Sequence, residues 1–306
     1  MPDAILAAVI NWNGWRDTLV CLESMLRMQG PAFHLLICDN GSTDESREHL
    51  QRWVDDFRPG GPVLSAALLP LASNFGYAGA INRCIAWGRE AVSPDYYWLL
   101  NNDVALDPRA LWHMIAAVRE TPRIGLCGSV LLEWDAPHEV QAVGGIFHRA
   151  IATGSHLKRL PPTAEATVCD SIDYPVGASM LATREFIESV GVMDESYFLY
   201  YEEVDWAQRG RARGFRPAVA LRSFVRHKEG ASTGSMGGVR RKSMLSEYYG
   251  VRNRLRYTRK FSPWLLPVVW LSLLLVAVDR AVHREWRRAA LVLRLMFRPD
   301  ADSRGQ

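Results

Sequence analysis

Three carboxylates and two tyrosines fall within seven consecutive positions, residues 200–206, of this chain. The carboxylates are Glu202, Glu203 and Asp205, and a histidine, His227, follows downstream. Acidic groups this close repel one another and raise at least one pKa, which suits a general base or a metal site. The alternative is an ordinary helix N-terminus, where acidic side chains complement the backbone dipole.

A second polar cluster, Asn101-Asn102-Asp103, directly follows an apolar run. A carboxylate at the end of a strand can hold Mg²⁺ or Mn²⁺, which bind one or two carboxylates together with phosphate oxygens. His227 could complete such a shell, and its imidazole would favour Mn²⁺. Asp103 and His227 are therefore the candidate metal ligands, although a lone histidine is also common as a structural residue.

The elements that must position these residues alternate between strand and helix in the first third of the chain. Short apolar runs predict strands over 5–10, 34–38, 63–69 and 96–100, and helical spacing predicts helices over 15–29, 45–57 and 80–91. This alternation predicts an α/β fold with a mainly parallel sheet. Ligands bind such sheets at the carboxyl ends of the strands, where four polar loops fall, at Asn11, Asp39, Asn74 and Asp103.

The composition is that of a folded chain, with 306 residues, 48% hydrophobic residues and a formal charge of +3. This length can form one large domain or two smaller ones, and we expect no nucleic-acid partner. The five scattered cysteines show no metal-ligand spacing and predict reduced thiols in a cytosolic compartment. The apolar run at the N-terminus lacks a basic segment before it, so it predicts a first strand rather than a signal peptide.

Six motifs occur in a fixed order along the chain. They are V-I-N-W-N (9–13), C-D-N-G-S-T-D (38–44), N-F-G-Y-A-G-A-I-N (74–82), L-L-N-N-D-V (99–104), F-L-Y-Y-E-E-V-D-W (198–206) and H-K-E-G (227–230). Their joint order is more specific than any one motif. Over about residues 4–235 it resembles the inverting, nucleotide-sugar-dependent glycosyltransferases of family two, and most closely their bacterial rhamnosyltransferase-like members. The resemblance implies the GT-A fold, a Rossmann-like, mainly parallel sheet flanked by helices.

The resemblance also implies roles for single residues. Asp39 would recognise the pyrimidine base. The donor would be bound by Asn11, Asn74, Gly79, Asn82, Asn102 and Gly177. The family's D-x-D metal motif reads Asn101-Asn102-Asp103 here, so its first carboxylate is absent and Mn²⁺ or Mg²⁺ binding rests on Asp103 and His227.

The family's catalytic base lies in a Glu-Asp motif that reads Glu202-Glu203 in this chain. Glu203 at the aspartate position keeps the carboxylate on an arm longer by one methylene. Glu202 could share the role, and Asp205 is the third catalytic candidate.

The C-terminal part changes in character. An uncharged run, residues 261–278, is flanked by basic residues on both sides and spans roughly 27 Å if helical. A spanning helix, a buried hairpin and an interfacial helix are all compatible with it. Proline at 263 and 267 and the flanking arginines favour attachment to a membrane surface, where basic residues meet anionic headgroups.

These observations predict a glycosyltransferase domain over 1–235, with a nucleotide-binding half (1–105) and an acceptor half (106–235), and a helical, partly hydrophobic membrane-associating extension over 236–306. The predicted enzyme moves a sugar, rhamnose from dTDP-rhamnose in the first instance, onto a cell-surface glycan or a polyprenyl-linked precursor. It would work in the cytoplasm, peripherally on the inner face of the membrane. The alternatives are a UDP-sugar-dependent galactofuranosyl or hexosyl transferase and a nucleotide-sugar-binding protein without turnover.

Overall fold

A mixed β-sheet forms the centre of the protein. The computed structural model describes residues 3–159, 167–228 and 243–298. The strands along the first half are β1 (Ile5–Asn11), β2 (Phe33–Asp39), β3 (Val63–Pro70), β4 (Tyr96–Asn101), β5 (Val104–Leu106) and β6 (Ile124–Glu133). Those that follow are β7 (Val140–Ala142), β8 (Gly145–His148), β9 (Thr153–His156), β10 (Val168–Cys169), β11 (Ser179–Thr183) and β12 (Arg216–His227).

The strand order in the large sheet is β3-β2-β1-β4-β11-β6-β12-β10, with β5 paired to β12 and β7 paired to β6. The first four strands of this order are parallel, and β11 runs antiparallel between β4 and β6. Because β1 lies between β2 and β4, the strand order reverses there, and such a reversal opens a crevice at the carboxyl ends of the strands. Asn11 ends β1 at this crevice and pairs in register with Asp39.

Helices cover both faces of the sheet. Those in the first two thirds of the chain are α1 (Trp15–Met25), α2 (Ser46–Asp56), α3 (Gly76–Ala91), α4 (Ala110–Glu120), α5 (Arg184–Val190) and α6 (Glu202–Ala212). The C-terminal helices are α7 (Met244–Phe261), α8 (Leu266–Val282) and α9 (Trp286–Phe297), with a 3-10 turn at Pro263–Leu265 before α8.

The strands and helices predicted for the first third of the chain are present, with shifted ends. α3 begins at Gly76 rather than at residue 80, so Gly79 lies in the helix. The N-cap of α2 is Glu45, and the Ser42 hydroxyl bonds to the Asp39 carboxylate. Gly214 ends α6 with φ +80, the left-handed conformation expected after a helix.

The C-terminal helices share a hydrophobic core with the sheet. Leu255 of α7 and Leu273 of α8 are buried in the same cluster as Leu6 and Ala8 of β1. The predicted boundary between residues 235 and 236 lies outside the described residues, so the division into a transferase domain and an extension stays a prediction. Within the described residues, however, α7 is part of the main core.

α8 presents one buried and one exposed apolar face. Val269, Leu273 and Ala277 face the protein at helical spacing. The large exposed apolar side chains on and before α8 are Trp264, Val268, Leu271, Leu274, Leu275, Val278 and Val282, which we call the α8 stripe. Among the described residues one helical segment, Pro263–Val282, is long and apolar enough to cross a membrane by length and composition.

Candidate functional site

Asp39 lies at the end of β2 in a buried hydrogen-bond network. Its Oδ1 accepts from Asn11 Nδ2 at 2.9 Å and from the Ser42 hydroxyl, and the backbone N–H of Ser42 lies 3.4 Å from Oδ2. Asn11 is fully buried, and its own Oδ1 accepts from Thr18 Oγ1 at 2.8 Å. Asn11 therefore orients the Asp39 carboxylate from behind, which leaves Asp39 better placed than Asn11 to meet a ligand.

Asn102 joins the two sides of the crevice. Its Nδ2 donates to the carbonyl oxygen of Gly14 and to Thr18 Oγ1, both at 3.1 Å. Because the amide of Asn102 is used in this way and is almost fully buried, the side chain fixes the start of α1 against the end of β4. Position 101, where the family's motif has an aspartate, is an asparagine in this chain. In this structure the side chain of Asn102 connects β4 to α1.

Asn74 shapes the loop before α3. Its Oδ1 accepts from the backbone N–H of Gly76 at 2.8 Å and from Asn40 Nδ2 at 3.1 Å. Asn40, which the sequence did not single out, also accepts from the N–H of Phe75 at 3.0 Å. A Cβ at Gly79 would lie 2.7 Å from Phe75 Cβ, so this glycine lets the helix approach the loop closely.

Asn82 does not direct its amide towards these groups. Its Nδ2 donates to the carbonyl oxygen of Met193 at 2.9 Å and to Glu195 Oε1 at 3.0 Å, and its Oδ1 accepts from the N–H of Met193 at 3.0 Å. Every hydrogen-bonding group of this amide is therefore occupied by the protein. These hydrogen bonds tie α3 to the segment before α6, and the nucleotide-lining role of Asn82 stays a prediction.

Asp103 and His227 face each other across β5 and β12. His227 Nε2 lies 3.4 Å from Asp103 Oδ1, and both residues are almost fully buried. His227 Nδ1 lies 2.8 Å from Gln141 Oε1, while Gln141 Nε2 donates to the carbonyl oxygen of His227 at 3.2 Å. Because the Gln141 oxygen can only accept, Nδ1 carries the proton and Nε2 is the nitrogen turned towards Asp103.

This arrangement fits a divalent cation. Asp103 Oδ1 is buried and has no hydrogen-bond partner, which is costly unless another group satisfies it. A histidine whose second nitrogen is held by an amide oxygen is the usual setting of a metal ligand. Within residues 3–159, 167–228 and 243–298 no cluster of three or more acidic, histidine or cysteine side chains could hold a metal. Two protein ligands leave positions for phosphate oxygens, as Mg²⁺ and Mn²⁺ sites commonly do.

Glu203 lies in the first turn of α6, directly against Gly177. The Gly177 N–H hydrogen-bonds to the Glu203 carboxylate, and a Cβ added at Gly177 would lie 2.2 Å from Glu203 Oε1. The carbonyl oxygen of Gly177 accepts from the Tyr77 hydroxyl at 2.7 Å. Position 177 must therefore be glycine for the carboxylate to lie where it does, and Tyr77 holds that glycine in place.

The two adjacent glutamates differ in their surroundings. Glu202 is 3% exposed and its Oε2 has no hydrogen-bond partner, while Glu203 is partly exposed. Burial raises the pKa of both carboxyl groups, and the pKa of Glu202 is raised well above its ordinary value because the charge on Glu203 adds to the effect of burial. The upward shift in pKa is thus larger for Glu202 than for Glu203, which favours the neutral form of Glu202.

Asp205 is engaged in a buried ion pair. Its carboxylate accepts from Arg209 Nε at 2.6 Å and from Lys260 Nζ at 2.5 Å, and it is fully buried. Arg209 also donates to the carbonyl oxygens of Val190 and Val192. Its oxygens thus anchor α6 to α7 and the neighbouring loop, and a catalytic role for Asp205 stays a prediction.

Backbone contacts bring the separate groups to one edge of the sheet. The N–H of Asn101 donates to the carbonyl oxygen of Ala178 at 3.1 Å, so the Gly177–Glu203 contact lies beside the strand that leads to Asp103. The N–H of Tyr77 donates to the carbonyl oxygen of Phe198 at 3.0 Å, which joins the Asn74 loop to the segment before α6. These contacts connect the surroundings of Glu203 with the strand before Asp103 and with the Asn74 loop. His227 and Lys228 are described here, whereas the last two residues of the H-K-E-G motif lie outside the described residues.

Comparison with known proteins points to one family of enzymes. Residues 7–164 match the profile of the family described as "Glycosyl transferase family 2". The N-acetylglucosaminyl-diphospho-decaprenol L-rhamnosyltransferase of Mycobacterium tuberculosis is 27% identical over 222 residues, which cover 65% of this chain and 68% of that enzyme. The low-salt glycan biosynthesis hexosyltransferase Agl10 of Haloferax volcanii is 23% identical over 212 residues, 69% of this chain and 62% of that enzyme.

The fold is also found among solved structures. The mannosyltransferase PcManGT of Pyrobaculum calidifontis, solved with GDP-Man and Mn²⁺, superposes with a TM-score of 0.60 at 12% identity, over 98% of this chain and 89% of that one. At this identity the likeness establishes the fold, which is that of the GT-A glycosyltransferases. Because the family profile matches more than half of the chain, over residues 7–164, the protein belongs to glycosyl transferase family 2.

Proposed function

We propose that this protein is an inverting, metal-assisted glycosyltransferase that transfers a sugar from a nucleotide donor to a hydroxyl group of a cell-surface glycan or a lipid-linked precursor. The observation that carries the proposal is the placement of Glu203 against Gly177. A partly exposed carboxylate with a raised pKa, held by a glycine at the crevice where the strand order reverses, is suited to act as a general base.

In the proposed reaction Glu203 takes the proton from the acceptor hydroxyl as that oxygen attacks the anomeric carbon. Glu202 stays neutral, so its charge does not oppose that of Glu203 in the same buried setting. A single base is enough for one displacement with inversion, and no second carboxylate has to act as a nucleophile.

Asp103 and His227 are the residues that would hold Mn²⁺ or Mg²⁺. When bound there, the cation would stabilise the negative charge of the departing nucleoside diphosphate. Gln141 keeps His227 Nε2 available, and Asn11 and Ser42 orient Asp39 for the pyrimidine base.

Rhamnose from dTDP-rhamnose is the donor that we propose first. The support is the 27% identical mycobacterial relative, which is named as an L-rhamnosyltransferase. The second candidate, a hexosyl transferase that uses a UDP-sugar, is favoured by the hexosyltransferase named at 23% identity. A binding protein without turnover is disfavoured, because Glu203 and the Asp103–His227 pair are both present.

We further propose that the C-terminal helices rest on the inner face of the cytoplasmic membrane. The α8 stripe is well exposed, with Leu271 at 61% and Leu275 at 64%, and exposed basic residues, Arg259, Arg284 and Arg287, lie close to it in the chain. A peripheral position fits better than a spanning one, because Arg280 of α8 forms a buried 2.8 Å ion pair with Glu247 of α7. A helix that left the protein to cross the bilayer would lose this pair.

The decisive experiment tests a panel of nucleotide sugars, beginning with dTDP-rhamnose and UDP-hexoses. Binding and slow donor hydrolysis are measured with and without Mn²⁺ or Mg²⁺. The panel is run in parallel on the parent, on Glu203→Gln and on Glu202→Gln. We expect one donor to be turned over and Glu203→Gln to lower kcat by at least about a hundredfold with donor binding retained. Turnover that survives Glu203→Gln but not Glu202→Gln would move the base to Glu202, and a protein that binds donors without any turnover would be a binding protein.

A further inference from the structure

The turn that leads into α6 has an unusual backbone. Tyr200 and Tyr201 are consecutive residues with φ angles of +68° and +75°. Non-glycine residues avoid this left-handed region, and a pair of bulky ones adopts it only where surrounding contacts enforce it. Glu202 and Glu203 follow at once, so the conformation of this turn decides where the proposed base lies.

Asn253 of α7 supplies the contacts that hold the turn. Its Nδ2 donates to the carbonyl oxygen of Leu199 at 2.8 Å and to that of Tyr200 at 3.0 Å, and the side chain is fully buried. Its Oδ1 accepts from Arg252, whose guanidinium also donates to the carbonyl oxygen of Ser196 at 2.9 Å. The amide thus donates to the carbonyl oxygen of the residue before the left-handed pair and to that of its first member.

The turn is also held from the opposite side. A Cβ at Gly76 would lie 2.2 Å from the carbonyl oxygen of Phe198, and the Tyr77 N–H donates to that same oxygen. α3 therefore holds Phe198, the residue before Leu199. Asn253 holds the carbonyl oxygens of Leu199 and Tyr200, where the chain turns into α6. Without the amide, the carbonyl oxygens of Leu199 and Tyr200 would lose their hydrogen bonds to α7.

We propose that Asn253 is a positioning residue for Glu203: by holding the left-handed Tyr200–Tyr201 turn, it keeps the first turn of α6 against Gly177. The inference rests on the proposed role of Glu203 as general base. It assigns a part in catalysis to a residue of α7, which lies outside the six motifs.

The alternative is that Asn253 only stabilises the fold, and α7 offers a matched control for it. Thr258 is buried on the same helix, but its hydroxyl donates to the carbonyl oxygen of Arg254 in its own helix at 2.7 Å. Asn253→Leu removes both donors at nearly constant volume, and Thr258→Val removes a buried hydroxyl at nearly constant volume. The two changes therefore separate loss of the turn from general loss of stability.

The experiment uses the full-length protein and its best donor, with dTDP-rhamnose tried first. It compares the parent, Asn253→Leu, Asn253→Ser, Thr258→Val, Glu203→Gln and the double variant Glu203→Gln/Asn253→Leu. For each protein, kcat for donor turnover, the donor dissociation constant, the melting temperature and hydrogen exchange over residues 199–206 are measured. Asn253→Ser is included because it retains one donor and decides the matter if Asn253→Leu does not fold.

We expect Asn253→Leu to lower kcat at least about thirtyfold through misplacement of the base, with donor affinity within about threefold of the parent. Exchange over residues 199–206 should rise in Asn253→Leu and not in Thr258→Val, and Asn253→Ser should be intermediate in both respects. In the Glu203→Gln background the same change should lower kcat no further, because residues that act through one group are not additive.

Three results would each overturn the inference. The first is a further loss of kcat in the double variant, the second is an equal loss of kcat in Thr258→Val, and the third is unchanged hydrogen exchange over residues 199–206 in Asn253→Leu. If Asn253→Leu does not fold, parent-like turnover and exchange in Asn253→Ser would overturn it as well. Failure of the proposed function is read separately, in Glu203→Gln alone: parent-like turnover there would remove Glu203 as the base, and with it the target that Asn253 is proposed to position.

Discussion

Gly177 and Glu203 are in direct contact, with the backbone N–H of Gly177 bonded to the carboxylate and no room for a Cβ between them. The glycine belongs to the segment before β11 and the glutamate to the first turn of α6, so the contact joins two parts of the chain that are distant in sequence. A larger side chain at position 177 would therefore displace the Glu203 carboxylate.

The first prediction follows from this contact. Gly177→Ala should displace the Glu203 carboxylate and lower kcat by about a hundredfold, because small misplacements of a catalytic group are costly. Steady-state kinetics and the melting temperature check it. Gly250→Ala is the control, because a Cβ on that helical glycine would meet no atom within 4 Å. Parent-like turnover of Gly177→Ala would mean that Glu203 is not held as we describe.

The second prediction concerns Glu202 and pH. A carboxyl group whose pKa is higher in the folded than in the unfolded chain opposes folding more strongly as the pH rises above its unfolded value, because folding must then take up a proton. The isosteric, neutral Glu202→Gln should therefore match the parent near pH 4 and become increasingly more stable than it towards pH 7. The gain is at most about 1.4 kcal/mol per pH unit.

Melting curves of Glu202→Gln and the parent at a series of pH values measure this effect. The exposed Glu48→Gln serves as a control that should show no comparable trend. A stability difference that does not change with pH would show that Glu202 is ionised in the folded protein.

The third prediction concerns the cation. Asp103→Asn and His227→Ala should each weaken donor binding and flatten its response to Mn²⁺ and Mg²⁺, since either change removes one of two protein ligands. Titration calorimetry with and without the cation measures both effects. Asp107→Asn is a suitable control, because Asp107 follows β5 closely but is exposed. Full activity after chelation, with both variants like the parent, would refute the metal site.

The fourth prediction concerns the α8 stripe. Leu271→Glu and Leu275→Glu should abolish sedimentation with anionic vesicles while donor hydrolysis in solution continues. Leu64→Glu places the same charge on an exposed leucine of β3 and should leave sedimentation unchanged. Binding of the parent should weaken as salt rises if the helix lies on the surface, because headgroup attraction is screened. Retention at high salt until detergent is added would indicate a spanning helix instead.

The sequence predicted the parallel half of the sheet well, because buried strands such as β1 and β2 are continuous apolar runs ended by polar residues. It could not predict which polar side chains are consumed within the protein. Asn82 and Asp205 look like neighbours of the site, but their partners, Met193 and Lys260, come from other parts of the chain. Only the folded structure shows these contacts.

The role of α7 was missed for a related reason. Its arginines and lysine are among the basic residues before the uncharged run, yet Arg254 donates to the carbonyl oxygen of Ile151 at 2.6 Å and Lys260 pairs with Asp194 and Asp205. A run of basic residues has the same pattern whether it faces solvent or satisfies buried carbonyls and carboxylates. Asn253 has no motif of its own, and nothing but its position under the Tyr200–Tyr201 turn distinguishes it.

The shared core of α7, α8 and the sheet has a practical consequence for handling this protein. Removal of the C-terminal helices would expose the apolar side chains that face Leu255 and would leave Asp205 without Lys260. A form that stays in solution without detergent is better obtained by replacing exposed leucines on α8 with polar residues, while the inward faces of α7, α8 and α9 are left intact. Such a surface redesign would allow crystallisation trials on a protein whose catalytic turn still has all of its supports.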